Sequence, residues 1–270
     1  AHLKPWRLPA GMASVRDARR NAFSLLHSCE LLDHPGARML VEGLSEAERA
    51  VTATMIERGL NSPLTSSMGR LLDAMAAMLG ICPNATYEGE PAIMLEAAAW
   101  RALGTDDAQR AHDGADCPGY RFALQEQSVP APGEQTRQRR SRVGEHAIDQ
   151  VIELDPTPMV HAALDDLSAG RPVEAIAADV HIAAAKAVCD ASIQIARRSD
   201  IRNVALSGGV FMNRLLLGEV LQRLRAEGLR PLVPSAVPIN DGCIAYGQAA
   251  VARARLAARG AGAVPSSRST

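Results

Sequence analysis

Between residues 204 and 213 the chain reads Val-Ala-Leu-Ser-Gly-Gly-Val-Phe-Met-Asn, an apolar strand-like run that breaks on two glycines and passes at once into helical periodicity. This segment limits the fold more than any other, because it demands a strand and a helix joined by a turn tight enough to need glycine. Its surroundings extend the pattern: a long helix expected over 172–198, a buried strand over 203–206, a helix over 213–227, a strand over 230–233 and a last helix after Asn240. Such alternation predicts a mixed α/β lobe with a largely parallel sheet. Gly208 and Gly209 also let backbone approach a ligand with no β-carbon in the way, and free N–H groups at the following helix start can receive a phosphate or a purine ribose. The same turn is a plain structural element in many α/β folds, so both readings stand at this point.

The first 170 residues are expected to form a mostly helical lobe. Apolar residues recur at helical spacing from Ser14 to Cys29. A second helix is expected from Ser45, with Glu48 placed to complete a capping box, to Arg58 ahead of Gly59. Ser66 or Ser67 can cap a third that stops at Gly80, and Pro91 sits in the first turn of a fourth reaching Leu103. Periodicity fails in irregular loops over 105–147, where Arg137, Arg139, Arg140 and Arg142 cluster without apolar partners. That cluster suits either a solvated loop or an anion contact. Short strands are expected at 120–125 and 148–154, then a helix from Pro156 or Pro158 to Leu167. The α/β lobe covers 171–258, and the Gly, Ala, Ser and Pro of 259–270 read as a disordered tail.

Composition removes several classes of function. Lys plus Arg total 29 against 30 Asp plus Glu, a formal net charge of −1, which gives no electrostatic footing for a nucleic-acid or membrane partner. No apolar run approaches the roughly 20 residues that span a bilayer. The opening Ala1-His-Leu-Lys-Pro has no signal-peptide core and reads as a processed or excised piece of a cytoplasmic protein. The five cysteines are scattered without CxxC pairing and read as reduced core thiols. The histidines, His27, His34, His112, His146, His161 and His181 among them, form no HxxxH or HxH pair, and His181 beside Ala184 and Ala185 suits a core or rim position. Neither G-x-S-x-G nor a P-loop occurs, so hydrolase and ATPase readings lack direct support.

Four acidic residues remain as candidates. Asp241, in Asn240-Asp-Gly-Cys-Ile-Ala-Tyr-Gly, opens the last helix and can be its N-cap or a metal ligand at the carboxyl edge of the sheet. Asp73 stands among apolar neighbours and requires either exposure or a polar partner, a ribose hydroxyl or a basic side chain. Glu88 and Glu90 flank Gly89 in a turn and suit solvated acids ahead of the fourth helix.

Taken together, the segment Thr65-Ser-Ser-Met-Gly-Arg-Leu-Leu-Asp73, Tyr87-Glu-Gly-Glu-Pro91, Leu206-Ser-Gly-Gly-Val-Phe-Met-Asn213 and Asn240-Asp-Gly-Cys-Ile-Ala-Tyr-Gly-Gln248 resemble the C-terminal module of the hydrogenase maturation carbamoyltransferases, in order and in spacing, over about residues 14–257. That module is similar to the tRNA threonylcarbamoyladenosine synthase subunit. The resemblance implies an actin-like ATPase type of α/β fold with a helical subdomain, two lobes around a nucleotide cleft. It implies transfer of carbamoyl from carbamoyl-adenylate, made from carbamoyl phosphate and ATP, to the C-terminal cysteine of a thiol-bearing partner maturation protein. The thiocarboxamide product is the precursor of an iron cyanide ligand in [NiFe] hydrogenase. By position Gly208, Gly209 and Asn213 would contact the nucleotide, Asp73 and Glu90 its sugar, and Asp241 a divalent metal, Zn, Fe or Mg. The family's histidine-rich metal motif and glycine-rich phosphate loop fall upstream of the matched region, so this piece alone is expected to be catalytically incomplete. The alternatives are a truncated partner-binding scaffold and an O-carbamoyltransferase for a small-molecule hydroxyl.

Overall fold

The computed structural model of the chain describes residues 1–103, 119–128 and 150–261. Its first part runs β1 (His2–Leu3), β2 (Trp6–Arg7), α1 (Met12–Arg16), α2 (Ala18–Ser28), a 3-10 turn (Pro35–Ala37), α3 (Arg38–Glu42), α4 (Glu46–Arg58), β3 (Leu64–Thr65), α5 (Met68–Met78) and α6 (Glu90–Leu103). Helix ends fall where side-chain chemistry puts them. Ser45 and Glu48 close the expected capping box on α4, Gly59 ends it in the left-handed region, and Ser67 caps α5 through the Arg70 amide. The single helix expected over 14–29 is two. Asp17 turns its carboxylate to the Arg19 amide at 3.2 Å and to the Arg19 guanidinium at 2.8 and 2.9 Å, so it caps a new helix in place of continuing the first.

The second part runs β4 (Ala123–Ser128), β5 (Gln150–Asp155), α7 (Thr157–Ser168), α8 (Val173–Ser199), β6 (Asn203–Ala205), a 3-10 turn (Gly209–Met212), α9 (Arg214–Ala226), β7 (Arg230–Leu232), a 3-10 turn (Asp241–Cys243) and α10 (Ile244–Ala261). The sheets are small and separate. β5 lies parallel to β1 and antiparallel to β4; β2 pairs antiparallel with β3; β6 pairs parallel with β7. The strand expected at 120–125 begins later, because Tyr120 and Phe122 turn into the core ahead of it. The irregular loops expected over 105–147, with their arginine cluster, otherwise lie outside the described residues. So do residues 262–270 of the expected tail, while 259–261 continue α10, whose Ala- and Arg-rich composition favours helix.

The 27-residue α8 is the axis of the molecule and packs against α6, α7 and α9. Its alanines at 177, 178, 183, 184, 185 and 187 are buried, as are Ala98 and Ala99 of α6, so the helix backbones approach closely. One continuous apolar core extends from Leu3 to Leu224 and crosses residue 170, where the sequence suggests a division. It ends before α10, whose described side chains from Ile244 to Ala257 are all exposed. Among the described residues no helix is long and apolar enough to cross a membrane.

Where the central sheet meets α7, Asp155 accepts from Lys4 Nζ at 2.8 Å, the Thr157 amide at 2.9 Å and the Thr157 hydroxyl at 2.6 Å. Burial pushes its carboxyl up, but Lys4 and Thr157 outweigh that and hold it below the ordinary range. A carboxyl depressed by folding adds stability above its unfolded pKa, and that contribution is lost as pH falls through the folded value. Asp155→Asn is therefore expected to cost about 1 kcal/mol near pH 7, with the gap from wild type closing towards about pH 3. Urea midpoints of both proteins at the two pH values check this.

Candidate active site

β6 ends in a loop that only part of the sequence pattern foretells. Leu206 is buried and its amide donates to the Leu232 carbonyl, which extends the β6–β7 pairing and leaves Ser207 exposed at the edge. Gly208 then takes φ +114°, a conformation that L side chains rarely adopt. A β-carbon built on Gly208 or Gly209 would find no atom within 4 Å, so the backbone here is open to a ligand. Gly208 N donates to Ile239 O at 2.8 Å, and Asn240 Nδ2 lies 3.1 Å from Met212 Sδ. These contacts set the glycine loop beside the Asn240-Asp241-Gly242 turn.

The helix start behind the loop is not an anion site. Glu96 Oε1 accepts from the Arg214 and Leu215 amides at 2.8 and 3.3 Å, and Asn213 Oδ1 accepts from Leu216 N at 2.9 Å. The N–H groups expected to be free for a phosphate are thus already satisfied, by a carboxylate that suits the positive end of the helix. An anion is left with the loop itself. Asn213 is mostly buried, and its Nδ2 donates to His181 Nε2 at 2.9 Å. His181 is fully buried; its Nδ1 donates to Ala177 O at 2.7 Å, and burial holds its pKa down, so it stays neutral with Nε2 as acceptor. Asn213 therefore faces the core, as the cap of α9 and the partner of His181. Sequence periodicity marks His181 as interior, but nothing local in it pairs His181 with Asn213, or Glu96 with the start of α9.

The carboxylates divide. Asp241 is exposed, and the cap of its turn is Asn240, whose Oδ1 accepts from Gly242 N at 3.1 Å, so the N-cap reading of Asp241 is set aside. Asp73 is 2 % exposed: Oδ1 accepts from Ala92 N at 3.1 Å and Oδ2 pairs with Arg70 at 2.9 Å, which clamps α5 to the first turn of α6. Burial pushes its carboxyl up while Arg70 pulls it down. Its polar partner is the basic side chain, and a sugar hydroxyl would have to displace Arg70 to reach it. Glu90 Oε2 accepts from the Thr86 amide at 2.5 Å and hydroxyl at 2.8 Å, bonds that hold its carboxyl below the ordinary range and fasten the turn ahead of α6. α5 also touches the 3-10 turn after Gly208, so the two groups of candidates share one side of the molecule.

As to a metal, no trio of His, Cys, Asp or Glu donors among the described residues includes Asp241. One carboxylate does not fill a coordination sphere. The trio that does converge is His34, His161 and Asp165, on another part of the surface, where two histidines without any motif spacing come together through the fold.

A glycine loop at a parallel strand's carboxyl end, abutting an acidic turn at the start of a second helix, defines the class of α/β domains that gather ligands at the sheet edge. The family model described as carbamoyltransferase, Kae1-like domain, second subdomain matches residues 1–248, and the chain belongs to that family. It is 34 % identical over 254 residues to the carbamoyltransferase HypF homolog of Cupriavidus necator, covering 93 % of this chain and 56 % of that protein. It is 31 % identical to carbamoyltransferase HypF2 of the same organism, covering 94 % and 30 %. Among solved structures it resembles full-length HypF in a phosphate- and nucleotide-bound form, with a TM-score of 0.71, 25 % identity and coverage of 94 % of this chain and 29 % of that one. The crystal structure of T. kodakarensis HypF gives a TM-score of 0.66 at 26 % identity, covering 96 % and 30 %. The chain thus spans about half or less of the length of the relatives it matches.

Proposed function

We propose that this chain is the second half of a carbamoyltransferase module of [NiFe] hydrogenase maturation, with an actin-like two-lobed fold when complete, and that the Gly208–Gly209 loop receives the adenylate of carbamoyl-adenylate. The observation that carries the reading is the open backbone at those two glycines, held beside Asp241 by the Gly208–Ile239 hydrogen bond, in a chain matched to the family over residues 1–248. The relative solved with nucleotide and phosphate bound supports it.

In the proposed reaction the cysteine thiolate of a partner maturation protein forms a bond to the carbamoyl carbon, the bond from that carbon to the adenylate phosphate oxygen breaks, and AMP leaves. This chain's residues supply position. Gly208 and Gly209 admit the nucleotide, and Asn213 fixes the loop from behind through α9 and His181. Asp73 and Glu90 hold α5 and α6 beside it, and Asp241 faces outward from the neighbouring turn. Because the described donors do not complete a metal centre at Asp241, no step is assigned to a metal.

Calorimetric titration with ATP and with a non-hydrolysable carbamoyl-adenylate analogue tests the assignment, with Gly209→Val alongside. A β-carbon at 209 meets no atom within 4 Å in the folded protein, so the melting temperature should hold while affinity falls about tenfold or more. Equal binding by the variant and the parent would remove the loop from the site, and absence of binding by the parent would refute a nucleotide site within this chain.

A further inference from the structure

We propose that His34, His161 and Asp165 bind a borderline divalent transition ion of the zinc class, at a site separate from the glycine loop. One donor atom from each residue lies within 4.8 Å of the others. His34 Nε2 is 3.1 Å from Asp165 Oδ1, His161 Nδ1 is 3.0 Å from Asp165 Oδ2, and the two rings meet edge to face with centroids 5.0 Å apart. The two contacts fall on different carboxylate oxygens, and a tetrahedral ion with bonds of roughly 2.0–2.2 Å needs donors about 3.3–3.6 Å apart, so the trio, which lies within 4.8 Å, draws in slightly on loading.

The fold builds this cluster from two distant stretches of chain. His161 and Asp165 are one turn apart on α7, so they share a face. His34 comes from 131 positions before Asp165, its side chain is 12 % exposed, and its Nδ1 accepts from the Gly36 amide at 3.1 Å. Gly36 lies so close to the helix that a β-carbon on it would stand 2.2 Å from Leu164 O, which pins the His34 loop to α7. Two imidazoles and one carboxylate are a donor set that suits zinc and cobalt over magnesium or calcium. Asp165 and His161 are each more than half exposed, which leaves the fourth position to water.

Loading shifts a proton. With Nδ1 of His34 accepting from Gly36, the ring proton sits on Nε2 and is donated to Asp165. An ion at Nε2 displaces that proton; a neutral ring then carries its hydrogen on Nδ1 and gives up the cap on Gly36. The affinity is accordingly lower than three free donors would give, and the bound ion ties the loop before α3 to α7.

The test is titration of the chelator-treated chain with Zn(II) by calorimetry and with Co(II) by visible absorption. A single equivalent with Kd below about 0.1 mM is expected, with a cobalt spectrum typical of four-coordinate nitrogen and oxygen donors. His161→Ala should weaken binding about tenfold or more while leaving the metal-free melting temperature in place, since that exposed ring contacts only the His34 ring and Asp165 among the contacts described. Asp165→Asn gives a second variant should the first be poorly folded. Equal affinity in the parent and both variants, or binding weaker than about 1 mM in the parent, overturns the site.

Discussion

Gly36→Ala is expected to destabilise the protein by about 3 kcal/mol, because among the described glycines it is the one whose added β-carbon would come closest to other atoms. The added carbon would stand 2.2 Å from the Leu164 carbonyl oxygen, 2.8 Å from its carbon and 2.9 Å from Leu164 Cα. All three are backbone atoms of α7, so no side chain can swing aside. Either the 3-10 turn at Pro35–Ala37 lifts from α7 or the helix shifts. Leu164 and Ala163 are fully packed beneath it, so both routes open the core. Backbone strain at Gly36 does not enter, because its φ lies outside the left-handed region. Urea denaturation of parent and variant measures the loss, and a change below about 1 kcal/mol would mean that the turn can move freely off α7.

Asn213→Ala is expected to cost about 3 kcal/mol, from two causes that can be separated. The Leu216 amide loses its cap, worth about 1 kcal/mol, and the buried His181 Nε2 loses its only donor described here, worth about 1–3 kcal/mol. Asn213→Asp restores the first without the second. Its carboxylate can accept from Leu216 N, yet it sets an acceptor against the ring nitrogen of a histidine held neutral by burial. The difference between the two variants in thermal unfolding therefore isolates the cap, and the cost that remains with aspartate reports the histidine contact. If alanine and aspartate cost the same amount, the cap contributes nothing.

What was legible in the sequence was mainly local. Ser45 with Glu48, Ser67, Gly59 and Gly80 all act on backbone within four residues of themselves, so their types and spacing announce the structures they make. The α/β character of the last hundred residues and the buried His181 follow from periodicity in the same way. Asp17 escapes such reading because an acid on a helix face and an acid that starts a new helix look alike until the Arg19 contacts are seen. Glu96 capping α9 across 118 positions, and His34 meeting Asp165 across 131, depend on how helices cross, which no short window contains. Family resemblance supplied the nucleotide roles, whereas the geometry gives Asn213, Asp73 and Glu90 bonds inside the protein that resemblance could not supply.

The pairing of β1 with β5 joins His2 to Glu153 and Leu3 to Leu154. During synthesis the first strand therefore emerges long before its partner, with a delay of roughly 10–30 s at ribosomal elongation rates. In that interval α2, α4, α5 and α6 can assemble on one another while Leu3 stays without its sheet. Closure of the three-stranded sheet is a late, long-range event that waits on the chain's own production.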